Sequence, residues 1–438
     1  MSLNINPTSD PRTVIIGGGF AGLELAKKLR KSQHQVVLLD RNNYHNFQPL
    51  LYQVATGGLE PDSIAYPLRK VFRGKDTNVA FRMAEVEKIT PERNEVLTNR
   101  GVLEYDNLVI ATGSESKYFD FEPIKDRLLN MKTVPDALNI RSFVLQNFEE
   151  AIATDDLNDQ NELINIVIIG GGPTGVELAG AFGEMKKYIF PKDYPTLDVS
   201  RMQIILLEMG PRLLSAMSKE ASEKAAQYLR ELSVEVHVGE GASAYEDNVL
   251  RTSKGAEINT ETVIWAAGVQ GNLPEGIDEE LVLKGNRLET DEFNRVKSYK
   301  NIYALGDAAA IVSKKLPSGH PMLASVAKQQ GIHLGENFLR AERGEALKAF
   351  KYKDLGTMAT VGRNRAVVDM PGFKFQGAFA WLVWMFVHVL LLVGFRSKVT
   401  TLWGWVYNYF TYDRSMRLII RPFEMPKIVF DDKLVESD

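Results

Sequence analysis

The sequence predicts an α/β fold in which one strand, turn and helix unit occurs twice. A glycine-rich turn follows an apolar run in each copy, GGGFAG at residues 17–22 and GGGPTG at residues 170–175. A helix-like run follows each turn, and a later apolar run ends in ATG at residues 111–113 and in AAG at residues 266–268. This order is typical of a parallel sheet with crossover helices.

Both turns, named here the first glycine loop (17–22) and the second glycine loop (170–175), have the G-x-G-x-x-G spacing of Rossmann-like dinucleotide-binding domains. Backbone N–H groups at the start of the helix can hold a pyrophosphate where a side chain would block its approach. A single loop of this kind also serves ordinary packing, but the duplication favours two bound dinucleotides. We predict that residues of both loops and of the ATG and AAG strand ends contact the dinucleotides. They are Gly17, Gly19, Phe20, Ala21, Gly22, Thr112 and Gly113 in the first copy, and Gly170, Gly172, Gly175 and Gly268 in the second.

A carboxylate follows the second apolar run of each copy. Asp40 lies 18 residues after Gly22, close to the spacing expected for a group that binds adenosine ribose, although a solvated strand end is the alternative. Glu208 lies 33 residues after Gly175, and we attribute the longer spacing to the insertion-like stretch 186–200. A carboxylate there repels a 2′-phosphate, which favours NADH over NADPH.

The order of the two sites favours FAD on the first loop and NADH on the second. Asp307 follows a strand and Gly306, where it is expected to accept hydrogen bonds from the ribityl or phosphate-proximal groups of a flavin, although Gly-Asp also occurs in ordinary turns. Arg41, next to Asp40, completes the FAD set predicted from these segments.

Glu177 is the predicted catalytic residue. It lies two residues after Gly175, where it would position the nicotinamide against the flavin or relay a proton. Glu24 occupies the same place in the first copy, and a helix dipole favours a negative charge near its N-terminus, so a structural role for both stays open.

The composition excludes several classes of function. The chain has no Cys, which excludes flavin chemistry that proceeds through a protein thiolate. The six His residues have no metal-ligand spacing, so no metal is expected. A net charge of −4 gives no broad positive field for nucleic acid. Residues 1–12 lack a secretory signal pattern, which predicts a cytoplasmic location.

The last sixty residues have a different character and predict a C-terminal membrane-associating helical segment. Residues 377–395 carry no formal charge, and an amphipathic stripe follows. Four of the five Trp residues lie here, beside an excess of cations, which favours the headgroup layer of a membrane. A membrane span, or a core helix followed by a dimer-forming helix, remains an alternative. The stripe consists of Val399, Leu402, Trp403, Val406 and Phe410.

We therefore predict four segments. They are an FAD-binding domain (first part) at 1–120, an NADH-binding domain at 121–290, the second part of the FAD-binding domain at 291–376, and a membrane-associating region at 377–438.

These motifs resemble the flavoproteins with two dinucleotide-binding domains and, among them, the type II NADH:quinone oxidoreductases. The resemblance covers nearly the whole chain. It implies one FAD, electron transfer from NADH to a quinone without proton pumping, peripheral monotopic attachment to the cytoplasmic face of the inner membrane, and a homodimer. The matching segments are 17–24, 47–56 (FQPLLYQVAT), 108–113, 170–180 (GGGPTGVELAG), 263–269, 303–307 and 324–330.

The family's quinone-pocket pattern is similar to AQxAxQ, and residues 324–329 read ASVAKQ. The resemblance implies that Gln329 lines the quinone pocket, that Ala327 and Lys328 approach the flavin, and that Lys398 reaches the quinone site. Ser325 replaces the first Gln of the pattern, so its contact with quinone stays open, and a structural helix start is the alternative interpretation.

Two other functions remain possible from the sequence. A soluble NADH-dependent reductase of ferredoxin or rubredoxin would share both glycine loops but would not need the aromatic tail. A flavin-loaded binding or signalling protein, akin to apoptosis-inducing flavoproteins, would act on another macromolecule.

Overall fold

The computed structural model describes residues 3–74, 77–411, 413–414 and 416–425, and its contacts divide the chain into two compact units. The first unit comprises Met1–Asn46, Ala65–Glu115 and Val269–Leu355. The second comprises Phe47–Ile64, Ser116–Gly268 and Gly356–Asp438. Each unit is therefore assembled from three stretches of the chain.

The first unit contains a five-stranded parallel sheet. Its central strands are almost completely buried, as expected where helices cover both faces of a parallel sheet. The strand Ile302–Ala304 joins its edge by pairing with residues 108–110. The strand order is Ile302–Ala304, Asn107–Ile110, Arg12–Ile16, Gln35–Asp40, Val79–Met83.

Two helices of the first unit pack closely because one of them carries a glycine at the contact. Helix Phe20–Leu29 follows the first glycine loop, and helix Ala324–Glu342 lies against it. A Cβ at Gly331 would overlap the carbonyl oxygen of Ala21. Only glycine allows the backbones to approach this closely, and the contact fixes the start of helix Ala324–Glu342 relative to the loop.

The second unit repeats the same sheet. All described pairings in it are parallel, and the strand Ile166–Ile169 before the second glycine loop is central and buried, like its counterpart. Its core includes Val167, Ile205, Val263 and the ring of Trp265. The strand order is Leu129–Asn130, Thr262–Trp265, Ile166–Ile169, Ile204–Glu208, Glu235–Val238.

The helix after the second glycine loop, Pro173–Tyr188, has 16 residues, whereas Phe20–Leu29 has 10. A short helix, Phe190–Asp193, and a 3-10 turn, Val199–Arg201, follow it before the next strand. The end of the longer helix and these two short elements cover the insertion-like stretch 186–200, and they explain why Glu208 is so far along the chain from Gly175.

Each unit has further helices and strands besides its parallel sheet. In the first unit they are Tyr44–Asn46, Ala65–Pro67, Leu68–Val71, Val86–Thr90, Pro91–Arg93, Glu95–Thr98, Gly101–Glu104, Val269–Gly271, Glu279–Leu281, Val282–Leu283, Arg287–Thr290, Gly306–Ala308 and Ala309–Ile311. In the second unit they are Gln48–Leu50, Leu51–Ala55, Pro61–Ile64, Phe119–Arg127, Val134–Ala151, Leu157–Ile164, Lys219–Glu231, Ala242–Glu246, Val249–Thr252, Glu257–Asn259, Thr357–Thr360, Ala366–Met370 and Phe373–Gln376. The strand Ser114–Ser116 contains a point where the chain passes from one unit to the other.

The tail of the second unit forms two helices, Ala378–Leu391 and Phe395–Thr411. The chain turns between them at Gly394, whose φ is +86°. The apolar stretch 377–395 is thus interrupted after 14 helical residues. Among the described residues, no helix combines the length and the apolarity that crossing a membrane requires.

The buried face of the second tail helix is partly polar, whereas large apolar side chains of both helices are exposed. The inward face of the second helix carries Ser397, Thr401 and Trp405. The outward face carries large apolar side chains that are exposed along both helices. They are Phe379, Leu382, Phe386, Leu390, Phe395, Val399, Leu402, Trp403, Val406 and Phe410. The predicted stripe is therefore present on a helix, and it faces away from the protein.

Candidate functional site

The two glycine loops have the same backbone geometry. Gly17 and Gly170 have φ of +103° and +113°, a region that favours glycine. A Cβ at Gly17 would overlap the carbonyl oxygen of Ala111, and one at Gly170 would lie 2.6 Å from that of Ala266. Each loop therefore passes tightly over the strand that ends in ATG or AAG.

The middle glycine of each loop faces open space. Apart from the adjacent residues, no atom of the described part of the chain lies within 4 Å of a Cβ built on Gly19 or on Gly172. Each of these residues is the N-cap of the following helix, where the first backbone N–H groups have no partner within the helix. Each unit thus presents a helix N-terminus to open space, an arrangement that suits a pyrophosphate.

The two predicted ribose carboxylates hold their glycine loops in the same way. Asp40 accepts the backbone N–H of Gly18 at 2.6 Å through Oδ2 and that of Asn42 at 2.7 Å through Oδ1. Burial raises the pKa of Asp40 above its ordinary value, although both N–H donors oppose the shift. Arg41, which is exposed, also favours the charged form.

Glu208 makes the matching contacts in the second unit. Its Oε2 accepts the backbone N–H of Gly171 at 2.7 Å, and its Oε1 accepts that of Gly210 at 2.6 Å. The two carboxylates thus occupy equivalent places at the ends of equivalent strands, despite their different distances along the chain.

Other predicted FAD contacts cluster in the first unit. The hydroxyl of Thr112 is buried and has no hydrogen-bond partner, and Gly113 follows it with φ of +73°. Asp307 accepts the hydroxyl of Ser114 at 2.5 Å. The buried Gln330, which the sequence reasoning missed, accepts the backbone N–H of Gly306 at 2.7 Å. The only sign of this role in the sequence is that Gln330 directly follows the quinone pattern at 324–329.

The residues of the quinone pattern lie on the first turns of helix Ala324–Glu342. Ser325 shares a hydrogen bond of 3.0 Å with the hydroxyl of Tyr352. The side-chain amide of Gln329 donates to the carbonyl of Lys353 at 2.9 Å and accepts its N–H at 3.0 Å. Ala327 is buried and contacts Gly306, since a Cβ on that glycine would lie 3.1 Å from its methyl group.

Lys328 lies close enough to His45 for its charge to help lower the pKa of that imidazole. Lys398, in the second unit, donates to the carbonyl of Leu390 at 2.8 Å and so joins the two tail helices.

Glu177 is buried within the second unit. Its carboxylate accepts the backbone N–H of Thr360 at 3.4 Å, and the indole of Trp384 faces it without a hydrogen bond of standard geometry. Burial raises the pKa of Glu177 to about 8. The equivalent Glu24 is partly exposed and pairs with Lys27 at 3.0 Å. Two residues at the same place in the repeat therefore have different electrostatic environments.

Sequence reasoning missed the aromatic surroundings of Glu177. The ring of Trp384 stacks on His388 with 4.1 Å between centroids, and the imidazole Nδ1–H donates to the carbonyl of Trp384 at 2.7 Å. Burial lowers the pKa of His388 to about 4, so the ring is neutral at physiological pH. Tyr52 packs against the same indole.

A cavity of about 100 Å³ lies in the second unit beside these groups, and the paired side chains Glu184 and Arg414 line it. The hydrogen-bonding groups around it are largely engaged. Gln53, for example, donates to the hydroxyl of Tyr52 and accepts the indole N–H of Trp405 at 2.6 Å. Other lining residues are Thr360, Arg363, Trp381, Trp384, Asn408 and Tyr409.

Two family models match the sequence. One, described as pyridine nucleotide-disulphide oxidoreductase, matches residues 11–331. The other, described as the NDH2 C-terminal domain, matches residues 355–412. The second match includes both tail helices.

Related proteins with curated names are similar over most of their length. The type II NADH:quinone oxidoreductase Ndh of Mycobacterium tuberculosis is 33% identical over 444 residues, which cover 96% of this chain and 93% of that protein. The type II NADH:quinone oxidoreductase of Staphylococcus aureus is 29% identical over 373 residues, which cover 84% of this chain and 91% of that protein.

Among solved structures, NDH2 from Plasmodium falciparum in complex with NADH has a TM-score of 0.85 and 19% identity, covering 94% of this chain and all of that one. At this identity the likeness concerns the fold, and it extends over nearly the whole chain.

Proposed function

Because the chain belongs to the type II NADH:quinone oxidoreductases, we infer that it transfers two electrons from NADH, through FAD, to a quinone. The observation that carries this inference is the combined match of both dinucleotide-binding repeats and of the C-terminal region. A ferredoxin or rubredoxin reductase would account for the repeats but not for the match at 355–412, so neither it nor a flavin-loaded signalling protein is favoured.

The first unit fits FAD. The open space at Gly19, the N-terminus of the following helix and the unpartnered hydroxyl of Thr112 can meet acceptors of the cofactor, while Asp40 and Asp307 supply acceptors. When bound, FAD accepts a hydride from NADH and releases two electrons to the second substrate. We propose that this chain's residues bind and orient the flavin through these groups.

We assign NADH to the second unit, where Glu208 holds the loop through the N–H of Gly171 and is proposed to bind the adenosine ribose. A 2′-phosphate would place negative charge next to that carboxylate, so the residue disfavours NADPH. Glu177 is the residue we propose to position the nicotinamide. Its raised pKa supports a role in holding a proton near neutral pH, and the backbone N–H of Thr360 donates to its carboxyl group at 3.4 Å.

The quinone contacts are proposed on helix Ala324–Glu342. Ser325 and Gln329 are four residues apart and therefore lie on one face of that helix. Gln329 uses one amide N–H and one oxygen lone pair on Lys353, which leaves one of each for a quinone carbonyl or hydroxyl. Lys398 is proposed as a further quinone contact, and one of the three donors of its ammonium is used on the carbonyl of Leu390.

We propose that the outward face of the tail helices binds a lipid surface. Its apolar side chains are exposed along both helices, and the exposed Arg396 adds positive charge that would favour anionic headgroups. This supports peripheral attachment, which brings the protein to a membrane-dissolved quinone. The homodimer and the cytoplasmic side of the membrane stay predictions.

The function is tested with protein purified in detergent. We expect an absorbance spectrum of bound flavin that NADH bleaches and that a menaquinone or ubiquinone analogue restores. Ferredoxin should not replace the quinone as an acceptor. Protein that is folded but free of flavin, or flavin that NADH reduces and no quinone reoxidises, would refute the proposed function.

A further inference from the structure

One residue of the first glycine loop, Gly18, has both of its backbone polar groups held by side chains. The N–H of Gly18 donates to Asp40 at 2.6 Å, and its carbonyl oxygen lies 2.9 Å from Nδ1 of His45. Since a carbonyl can only accept, the imidazole carries its proton on Nδ1 and donates it. His45 was not among the residues that the glycine motif predicts.

The second glycine loop has the same arrangement but a different donor. The N–H of Gly171 donates to Glu208 at 2.7 Å, and its carbonyl accepts the backbone N–H of Leu214 at 2.8 Å. Leu214 adopts φ of +48°, an uncommon value for a leucine, at the position that makes this contact. The repeat therefore keeps a donor on this carbonyl by two unrelated means, a side chain in one copy and backbone in the other.

This contact determines where the next amide points. The peptide joining Gly18 to Gly19 is planar and trans, so its C=O and N–H point in opposite directions. With the carbonyl fixed by His45, the N–H of Gly19 is directed away from the imidazole. Gly19 is the N-cap of the following helix, and a Cβ built on it would meet no atom within 4 Å in the described residues beyond its chain neighbours.

The surroundings of His45 suit a fixed neutral donor. The ring is buried, and Phe20 of the same loop meets it edge-on with 5.2 Å between centroids and 87° between planes. Burial, with Lys27 and Lys328 nearby, lowers the pKa of His45 to about 4, while Glu24 opposes the shift. His45 thus contacts the loop at two residues and keeps one protonation state at neutral pH.

We propose that His45 is a positioning residue for FAD, which aims the Gly19 amide at the pyrophosphate by holding the Gly18 carbonyl. The proposal rests on the assignment of FAD to the first unit. According to this proposal, a side chain outside the glycine motif contributes to FAD affinity. The second copy of the repeat has no such side chain, because a backbone N–H takes its place there.

The test compares His45→Asn with His45→Leu. The two side chains have similar size, but only Asn can donate to the Gly18 carbonyl. Flavin is removed from each purified variant, and the dissociation constant of FAD is measured by quenching of flavin fluorescence, together with the rate of FAD release after dilution. We expect FAD to bind about tenfold more weakly to H45L, the effect of losing about 1.4 kcal/mol, and within about threefold of wild type to H45N.

A matched control separates positioning from general loosening of the unit. His34 is also buried in the first unit, where its Nδ1 lies 2.8 Å from the hydroxyl of Thr13, away from the loop. His34→Leu should lower the melting temperature of the apoprotein while leaving the FAD dissociation constant close to that of wild type.

Equal FAD affinities of H45L and H45N would overturn the proposal, and so would an equal loss of FAD affinity in H34L. If H45L does not fold, His45→Gln replaces it, because its amide donor lies one bond further from the backbone than that of Asn. Equal FAD affinities of H45Q and H45N would then contradict a donor of fixed geometry. Wild-type protein that binds no FAD would instead refute the proposed function.

Discussion

The guanidinium of Arg414 lies 2.8 Å from the carboxylate of Glu184, and both side chains are only 14% exposed. The same guanidinium donates to the hydroxyl and the carbonyl of Thr56. Glu184 lies on helix Pro173–Tyr188 and Arg414 follows the last tail helix, so this pair connects the tail to the helix after the second glycine loop.

We expect Arg414→Met to lower the free energy of unfolding by about 2 kcal/mol, because it leaves a largely buried carboxylate without its cation. Urea unfolding followed by tryptophan fluorescence measures the change. Arg396→Met is the matched control, since Arg396 pairs with Asp62 at 3.4 Å with side chains 75% and 57% exposed, and should change stability by less than about 0.5 kcal/mol. Equal changes in the free energy of unfolding for the two substitutions would show that the buried pair stabilises the fold no more than the exposed pair.

The buried Glu177 predicts a specific pH dependence of stability. Its pKa is raised from 4.5 to about 8 in the folded protein, so the folded state retains a proton that the unfolded state loses between these values. Stability from this group is therefore full below pH 4.5 and is lost as pH rises through 8. Glu177→Gln removes the dependence, and the stability of E177Q relative to wild type should rise by about 1 kcal/mol per pH unit from pH 5 to 8.

The same variant tests the proposed role in catalysis. We expect the rate of flavin reduction by NADH to show a transition near pH 8 in wild type that is absent in E177Q. Glu24→Gln, at the equivalent place in the first copy, is the control and should show neither change. A wild-type profile that E177Q reproduces would contradict the assignment.

The sequence predicted the repeated sheet because a parallel strand buried on both faces must be a short apolar run, and both copies contain one before each glycine loop. The loops themselves were predictable, since Gly17 and Gly170 need a φ that favours glycine. Asp40 was predicted from its strand end and its spacing from Gly22, and Glu208 from its strand end, where a longer helix changed the spacing.

The environment of Glu177 was not predictable from the motif. Its neighbours Thr360 and Trp384 are about two hundred residues away in sequence, and a Trp in an apolar stretch carries no sign of which carboxylate it will face. The donor to the Gly18 carbonyl was also not predictable from the repeat. It is the side chain of His45 in the first copy, whereas a backbone N–H makes the equivalent contact in the second copy.

Gln329 and Gln330 are adjacent residues from which we expect different defects. Gln330→Leu removes the acceptor of the buried Gly306 N–H and should weaken FAD binding about tenfold, since an unpaired buried donor costs about 1–3 kcal/mol. Gln329→Leu should leave FAD binding nearly unchanged and raise the KM for quinone. Fluorescence titration with FAD and steady-state kinetics with a soluble quinone analogue distinguish them. Similar profiles for both variants would contradict the division of roles.

Glu208→Gln should relax the choice of nucleotide. Removing the charge removes repulsion of the 2′-phosphate, so we expect kcat/KM for NADPH to rise about tenfold while that for NADH falls, because Gly171 or Gly210 loses a charged acceptor. Asp40→Asn, the equivalent change in the first copy, should weaken FAD retention and leave the ratio of NADH to NADPH activity unaltered. An unchanged ratio in E208Q would argue against its role in specificity.

The outward face of the tail predicts that membrane binding and stability can be separated. Phe386 and Phe410 are 65% and 78% exposed, so replacing both by Gln should leave the free energy of unfolding within about 0.5 kcal/mol of wild type. The removal of two apolar rings should weaken association with anionic vesicles at least tenfold in a cosedimentation assay, because lipid binding scales with buried apolar area. Activity with a soluble quinone should be retained, whereas activity with a long-chain quinone in vesicles should fall.

Trp405→Phe is the control for this experiment, since Trp405 is buried and donates to Gln53. It should affect stability but not cosedimentation. Unaltered vesicle binding of the double variant, with a change in its molar mass by light scattering, would assign this face to a second copy of the chain.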